Sequence, residues 1–428
     1  MFVWVLCAAA VPACARAEYV AHEWGTFTSV QGGDGELLRW RPLQTSELPD
    51  FVYNWSKAGL NRLPGGSMFL GKGQMVTLQR METPVIYFYA NTEMNLDVSV
   101  DFPKGIITEW YPQATQIGPS LAFNTNAPAG ATTSESRVVW KNLKLVTAVK
   151  IKSELNDQLP LDQSGSHYFA ARETSAALVQ MDIPGSVSNV VETEKFIFYR
   201  GAGSFQTPLR ASVDDHDTVI VANTGTENLA HLFLVSVHDN GHGKTAAFAA
   251  IKNLLPKNSA PWRRLDAAEF QPLEKFQADI AAQMVSALVG EGLFPQEARA
   301  MVNTWKDSWF AEEGDRVLYL LPRAWTDETL PMALNPKPAK LVRVMVGRAE
   351  ILTPKTEKYL SDALVKAANG GDSERQAAAR ELKSLGRFAE PALRLANLNR
   401  VSTNAFVLSY QLLSETLSTA TTTPAKFE

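Results

Sequence analysis

The sequence predicts an α+β protein, with an N-terminal antiparallel, sandwich-like β body, a mixed middle region and a helical C-terminal tail. Up to about residue 240, short β-branched, aromatic and alternating runs are separated by Asn, Gly, Pro and Ser clusters, as in sandwiches. From residue 273, apolar residues recur at helical spacing. Beyond residue 352, capping residues and helix-starting prolines predict several further helices.

The chain has 428 residues, enough for two or three domains. We divide it by composition and pattern. The predicted parts are a leader at 1–17, a β-rich domain at 18–255, a mixed helix and strand region packing on it at 256–350, and a helical region at 351–428.

The clearest predicted strands are the aromatic run at 85–90 and the alternating run at 96–102. Residues 218–222 and 229–237 flank a Gly-bearing turn and predict a β-hairpin. Thr245 then predicts the cap of a helix over residues 246–255. The same reasoning predicts further strands at 138–145, 168–171, 195–199, 317–321 and 341–346.

Two helices are predicted in the middle region. The first follows Pro272 and ends near Gly290, and the second follows Pro295. In the tail, Thr353 is a predicted cap and Pro354 a helix-starting proline. The core positions of the first two helices are Leu273, Phe276, Ile280, Met284, Leu288, Ala298, Met301, Val302, Trp305 and Trp309.

Residues 1–17 resemble a signal peptide, with an apolar run and a small-residue cleavage site before Glu18. A lipid anchor on Cys14 is the alternative, and Pro12 fits it poorly. Both cysteines, Cys7 and Cys14, lie in this leader, so the mature chain would have no disulfide and no thiolate chemistry. We therefore expect a soluble protein exported to the periplasm or beyond, with no later membrane span.

The formal net charge of −4 is too mild to indicate a nucleic-acid partner. Residues 335–400 are different, because they hold thirteen Lys and Arg against seven Asp and Glu, a balance of +6. This stretch can bind an anionic polymer or surface. Because many of these charges fall at helix-exterior spacing, solvated helix faces are the favoured interpretation.

Three segments carry a resemblance to a group of uncharacterised exported bacterial proteins. They read HEWGTFTS at 22–29, RMETPV at 80–85 and SHY at 166–168. The resemblance covers most of the chain outside the helical tail. It implies an exported compartment and no particular activity.

The first candidate site is a metal centre of His22, His238 and His242, with Glu23 as general base. Imidazole and carboxylate groups suit a divalent transition metal such as zinc, which lowers the pKa of a bound water. The alternative is that residues 239–241 form a turn and that the two nearby histidines are simply exposed.

The second candidate is a pair of carboxylates beside tryptophan, Glu23 with Trp24 and Glu109 with Trp110. Apolar surroundings can raise a carboxyl pKa enough for general-acid work on a glycosidic bond. The alternative is two surface carboxylates next to core tryptophans.

The sequence leaves open whether the protein is an enzyme. The leading hypothesis is a metal-assisted hydrolase. The rival is a non-catalytic binding or assembly module of the cell envelope, whose partner is a glycan or a protein.

Overall fold

The computed structural model describes residues 18–44, 48–54, 75–118, 136–147, 159–161, 166–183, 191–262 and 265–420. The predicted leader, including Cys7 and Cys14, lies outside these residues. No helix in the described part is long and apolar enough to span a bilayer. The described strands are β1 (Tyr19–Gly32), β2 (Tyr53–Asn54), β3 (Gln79–Ala90), β4 (Met94–Asp101), β5 (Gly105–Tyr111), β6 (Gln116–Gly118), β7 (Arg137–Val146), β8 (Leu178–Asp182), β9 (Val191–Glu194), β10 (Ile197–Gly203), β11 (Leu209–Val213), β12 (Val219–Asn223), β13 (Leu229–Asp239), β14 (Lys244–Leu254), β15 (Ser259–Pro261), β16 (Gln271–Pro272), β17 (Gly314–Leu321), β18 (Met332–Asn335) and β19 (Lys340–Leu352).

The described helices lie mainly in the C-terminal part, which confirms the predicted α+β class. A 3-10 helix at His167–Arg172 precedes them. The α-helices are α1 (Leu273–Gly290), α2 (Pro295–Phe310), α3 (Arg323–Thr329), α4 (Pro354–Asn369), α5 (Asp372–Ser384), α6 (Ala389–Ala396) and α7 (Thr403–Ala420).

Ten of the described strands form one large sheet, in the order β16-β14-β13-β17-β19-β1-β3-β10-β5-β2. Its neighbours run antiparallel except for β1 and β19, which are parallel. Because β17 and β19 belong to this sheet, the region 256–350 contributes strands to the same sheet as β1. Strands β11, β12 and β15 form a small sheet, and β4, β6, β7, β8, β9 and β18 form a second one.

The large sheet is buried on both faces. One face, the sheet face, packs against the two smaller sheets through residues such as Phe27, Val98 and Val221. The other, the helix face, packs against α1, α2 and the 3-10 helix through residues such as Trp24 and Trp305. This layering produces the sandwich-like body that alternating strands predict.

The helical tail has a core of its own on one edge of the body. Helices α4 to α7 pack around Leu360, Leu382 and Leu408, together with Val30 of β1 and Trp40. The body therefore supplies part of the apolar surface that the tail buries.

Three local predictions were wrong. Strands β12 and β13 lie in different sheets, so residues 218–237 form no hairpin; β12 pairs with β11 and β15. Residues 246–255, predicted as a helix, lie mostly in β14, which pairs with β13. Residues 168–171 lie in a 3-10 helix, not a strand. Strand and turn signals are local, whereas the choice of partner depends on distant residues.

Candidate functional site

The central strands of the large sheet lose regular register at one level, near Thr83. Pairing of β1 with β3 shifts between Trp24 and Thr26, and pairing of β10 with β3 shifts between Phe198 and Gly201. Thr83 itself has φ of 50°, a left-handed conformation that is strained for a β-branched residue. Bulges and strained residues concentrate at functional sites, so the side chains at this level are candidate functional groups.

Two glycines permit close packing at this level. A Cβ on Gly25 would lie 2.9 Å from the Cα of Pro84, and a Cβ on Gly201 would lie 2.1 Å from the carbonyl oxygen of Ile106. Any side chain at either position would collide with neighbouring backbone. Only glycine therefore fits at these two positions of the bulged strands.

A network of buried ion pairs, here called the arginine network, lies on the helix face around this level. Seven of its nine side chains are less than a tenth exposed, while Arg387 is 12% and Glu312 is 39% exposed. The network therefore reaches solvent at one end. Its members among the described residues are Arg80, Arg200, Arg316, Arg348, Arg387, Glu82, Glu109, Glu312 and Glu350.

Glu82 connects the strands to the helical tail. Its Oε1 accepts hydrogen bonds from Thr28 Oγ1 at 2.6 Å and from Arg387 Nη1 at 3.0 Å. Arg387 also donates to Ser308 Oγ of α2 at 3.1 Å. Arg80 is more loosely placed, because its Nε lies 3.5 Å from Glu82 Oε2. One carboxylate thus joins β1, β3 and the segment after α5.

A second group of contacts fixes the end of α2 to β17 and β19. Arg348 donates to Glu350 Oε2 at 2.8 Å and to Glu312 Oε2 at 2.6 Å. Arg316 donates to Glu350 Oε2 at 3.0 Å and to the carbonyl oxygen of Trp309 at 3.2 Å. Arg316 also donates through Nη2 to Glu350 Oε1 at 3.3 Å, so it binds both oxygens of this carboxylate, a bidentate contact that gives geometric specificity.

The ion pairs hold the carboxylates in their charged form. Burial alone would raise the pKa of Glu82, but Arg387 and Arg80 lower it well below its ordinary value. Burial likewise opposes ionisation of Glu312, yet its arginine partners lower its pKa. The pKa of Arg80 is lowered to about 10, first by burial and then by the positive charge of Arg200.

The three segments that carry the family resemblance meet on this helix face. Thr28 of the first segment contacts Glu82 of the second. Tyr168 of the third packs 5.9 Å from the ring of Trp305 and interacts electrostatically with Arg80. Residues far apart in sequence therefore build one region.

His22 is not placed to join a metal centre with the other two histidines. It is fully buried on β1, where its Nδ1 lies 2.7 Å from Glu297 Oε2 of α2. Tyr89 donates to the other oxygen of Glu297 at 2.8 Å, and the ring of Phe294 lies 4.5 Å away. The imidazole joins β1 to the start of α2.

His238 and His242 lie at the far end of the large sheet. His238 is exposed and contacts Ser236 Oγ at 2.9 Å through Nε2. His242 is exposed, and its backbone N–H donates to the side chain of Asn240, so this segment is the turn of the alternative interpretation.

The sheet register shows how far His22 lies from His238 and His242. His22 pairs with Val342 of β19, whereas Val237, beside His238, pairs with Gly314, next to the Asp315–Ile351 pair. From residue 342 to residue 351 a strand rises by about 30 Å. The structure does not bring these histidines together, and among the described residues no three His, Cys, Asp or Glu side chains form a group that could hold a metal ion.

Glu23 and Glu109 lie on opposite faces of the large sheet. Glu23 accepts hydrogen bonds from Tyr199 Oη at 2.5 Å and Arg343 Nε at 2.6 Å. Glu109 pairs in register with Arg200, the residue after Tyr199, and adjacent strand residues point to opposite faces. Each carboxylate is at most 1% exposed, so the pair does not flank a common substrate position.

An open cleft, here called the basic cleft, lies where the arginine network reaches solvent. Its volume is about 430 Å³, and its charged lining residues are Lys244, Arg380, Lys383, Arg387, Glu312 and Glu313. The cleft separates the body from the end of α5. Four cations against two carboxylates make it electropositive.

The arginine network was not predicted from the sequence, and the kinds of chemistry that the sequence suggested explain why. Metal and glycosidase chemistry directed attention to His and Glu, whereas the buried centre consists of arginine–glutamate pairs. The segment at 80–85, with Arg80 and Glu82 two positions apart on one strand face, was the available signal.

No family model matches this chain, and no curated protein matches it. Among solved structures, the chain is similar to the yeast delta-COP-I mu-homology domain complexed with Dsl1 WxWxV peptide, at 6% identity and a TM-score of 0.26, covering 78% of this chain and 98% of that one. The same yeast domain alone matches at 7% identity, again with a TM-score of 0.26 and the same coverage. Likeness at this level carries no argument about function.

Proposed function

We propose that the protein is a non-catalytic binding module, which takes an acidic peptide segment of a partner protein into the basic cleft. The observation that carries this proposal is the excess of positive charge in an open cleft. Lys244, Arg380, Lys383 and Arg387 line it, against Glu312 and Glu313. Consistent with the predicted leader, we propose the cell envelope as the place of action.

Of the two carboxylates that line the cleft, that of Glu312 is already paired with arginine side chains. Glu312 binds Arg348 at 2.6 Å and lies 3.5 Å from Arg387. Arg380 and Lys383 are exposed at the rim, where they attract carboxylates and form charge-assisted hydrogen bonds with them. The cleft volume of about 430 Å³ falls in the usual range of ligand-binding clefts.

The lining favours a peptide over a sugar. Glycan recognition by aromatic side chains needs an open ring face. The lining ring, Phe388, is 3% exposed, and the guanidinium groups of Arg348 and Arg387 lie 5.1 and 5.0 Å from its centre. The other groups that a ligand can contact in the cleft are Lys and Arg side chains, which bind the side-chain carboxylates of an acidic peptide.

The placement of the carboxylates supports a non-catalytic role. Glu23 and Glu109 are buried on opposite sheet faces and engaged in hydrogen bonds or ion pairs. A general acid or base must lie within hydrogen-bond reach of its substrate.

The test is binding of a fluorescent Glu-rich hexapeptide, with a Gln-rich hexapeptide as the neutral comparison. We expect the double variant Arg380→Glu, Lys383→Glu to bind the acidic peptide about tenfold or more weakly, equivalent to about 1.4 kcal/mol. The matched control is Lys355→Glu, Arg375→Glu, which changes net charge equally at exposed positions outside the cleft lining.

Equal weakening in the control pair would show non-specific attraction and overturn the proposal, as would failure of the wild type to bind the acidic peptide at low salt. A polyuronic acid that binds more tightly, with the same dependence on Arg380 and Lys383, would assign the cleft to an anionic glycan instead.

A further inference from the structure

We propose that Asn240 is a modification site, where the side-chain amide is converted to aspartate or isoaspartate through a cyclic imide with Gly241. Both residues lie in the turn that joins β13 to β14, and both are exposed. The chemistry of this turn does not depend on a peptide partner.

The glycine after Asn240 leaves the path to the imide open. Ring closure requires the backbone nitrogen of Gly241 to reach the side-chain carbonyl carbon of Asn240, and a side chain on the following residue would hinder that approach. Gly241 has φ of 80°, which glycine adopts without strain. A Cβ on Gly241 or Gly243 would meet no atom of the described residues within 4 Å, chain neighbours aside, so the turn has room to rearrange.

Two hydrogen bonds within the turn match the needs of the reaction. The N–H of Gly241 donates to Asp239 Oδ1 at 2.8 Å, so a carboxylate is placed to take the proton from the attacking nitrogen. The N–H of His242 donates to Asn240 Oδ1 at 2.9 Å, so a donor already binds the oxygen on which negative charge develops. The turn thus supplies a base for the nucleophile and a hydrogen-bond donor for the electrophile.

The reaction balances with water as the only co-reactant. The Gly241 nitrogen forms a bond to Asn240 Cγ, the bond from Cγ to Nδ2 breaks, and Nδ2 leaves as ammonia with the proton that Asp239 removed. Water then opens the imide. Cleavage of the new bond between Cγ and nitrogen gives aspartate, whereas cleavage of the backbone bond between the carbonyl carbon and nitrogen gives isoaspartate. Either product carries one more negative charge than asparagine.

The chain contains one other Asn-Gly step, Asn369-Gly370, which provides an internal comparison. Asn369 is also exposed, but it ends α4, and its Nδ2 donates to the carbonyl oxygen of Val365 at 2.9 Å. A Cβ on Gly370 would lie 2.8 Å from Glu374 Cγ, so the chain is closely packed there. The folded protein should therefore protect Asn369 and leave Asn240 reactive.

The test is mass spectrometry of the full chain after incubation at mildly alkaline pH, with loss of the amide at Asn240 and at Asn369 measured in the same digest. We expect Asn240 to react about tenfold or more faster in the folded protein, equivalent to about 1.4 kcal/mol in activation free energy. In urea the two rates should become similar. Equal rates in the folded protein, or an unchanged ratio in urea, would overturn the proposal. Aspartate without isoaspartate would show direct hydrolysis and would overturn the cyclic route.

The variant Asp239→Asn tests the base, because it removes the charge but keeps an oxygen that can accept the hydrogen bond from Gly241. It should slow the reaction at Asn240 and leave the rate at Asn369 unchanged. The matched control is Asp215→Asn, which removes an exposed carboxylate outside this turn. An unchanged rate at Asn240 in Asp239→Asn would overturn the assignment of Asp239 as the base.

The modification should also reduce the positive potential of the basic cleft, a consequence that rests on the proposed function. Asp239 pairs in register with Lys244, and its N–H donates to Glu313 Oε1 at 3.1 Å. Lys244 and Glu313 both line the cleft. A new carboxylate at position 240 therefore lowers the attraction of the cleft for an acidic ligand.

We expect Asn240→Asp to bind the acidic peptide about twofold more weakly at low salt, equivalent to about 0.4 kcal/mol. Asn369→Asp makes the same change in charge outside the cleft lining and should bind as the wild type does. Equal binding by Asn240→Asp and the wild type would overturn the link between turn and cleft. A wild type that does not bind the peptide would overturn the cleft proposal alone, because loss of the amide at Asn240 is measured independently.

Discussion

At the scale of single residues, Thr83 is the most informative position. It combines a left-handed backbone with a buried hydroxyl and lies where β1, β3 and β10 shift register. Strain of this kind persists only where surrounding structure imposes it. The residue after Thr83, Pro84, packs closely on β1, where a Cβ on Gly25 would lie 2.9 Å from the Pro84 Cα.

Replacing Thr83 by glycine tests the strain. Relief of about 1–3 kcal/mol of backbone strain should offset the entropic cost of glycine, about 0.5–1 kcal/mol. We expect Thr83→Gly to retain or raise the free energy of unfolding, measured by urea titration. Thr26→Gly is the control, because Thr26 also has an unpartnered buried hydroxyl among the described residues but no positive φ, and it should be destabilised. An equal loss in the free energy of unfolding in both variants would show that the backbone at Thr83 is not strained.

At the scale of elements, the bulged strands bring β10 and β5 unusually close. The carbonyl oxygen of Ile106 occupies the space that a Cβ on Gly201 would need. The Arg200–Glu109 pair is next to this contact. Close approach of these strands therefore positions part of the arginine network.

Gly201→Ala should consequently destabilise the protein by about 1–3 kcal/mol, the usual cost of forcing atoms into a packed core. Gly290→Ala is the matched control, since its Cβ would meet nothing within 4 Å at the end of α1. That control should be neutral or slightly stabilising because alanine favours helix. The measurement is the calorimetric Tm of both variants. An unchanged Tm in Gly201→Ala would refute the predicted collision between a Cβ at this position and Ile106.

The elements also show what sequence patterns can predict. Helices α1, α2 and α4 begin where Pro272, Pro295 and Thr353–Pro354 predict, because caps and prolines act locally. Strand partners were mispredicted at β12 and β13, since pairing is decided by distant chain. The candidate site followed the same rule. His22 and Glu23 were predicted as a metal ligand and a general base, whereas their partners in the structure, Glu297 and Arg343, lie more than 270 positions away in sequence.

At the scale of the whole molecule, the arginine network joins the helical tail to the body. Arg387 follows α5 and binds Glu82 of β3, while Ser308 of α2 contacts both Arg387 and Arg348. Removing one partner of a buried pair leaves an uncompensated charge. Attachment of the tail is therefore sensitive to the protonation of its carboxylates.

The pH dependence follows from the lowered pKa of Glu82. Its folded-state pKa lies below the unfolded value of about 4.3, so its stabilising contribution is complete above that pH and is lost as pH falls below it. We expect wild-type stability to decline below about pH 4. Glu82→Gln should be less stable at pH 7 and should lose less on acidification, measured by urea unfolding at each pH.

Glu328→Gln is the control for this pH series. The pKa of Glu328 is also lowered, by a hydrogen bond and ion pair with Lys104, but its side chain is 70% exposed. Exposed pairs contribute little to stability, so this variant should follow the wild-type pH profile. A Glu82→Gln profile parallel to that of the wild type would show that Glu82 does not control acid sensitivity.

The parallel pairing of β1 with β19 has a consequence for synthesis of the chain. Tyr19–Gly32 finds its neighbour at Lys340–Leu352, so an emerging polypeptide cannot close the middle of its large sheet until most of the molecule has been made. Contacts this distant in sequence slow folding. The nascent protein should therefore stay open to chaperones at least until Lys340–Leu352 has been synthesised, and its native state should form only after that point.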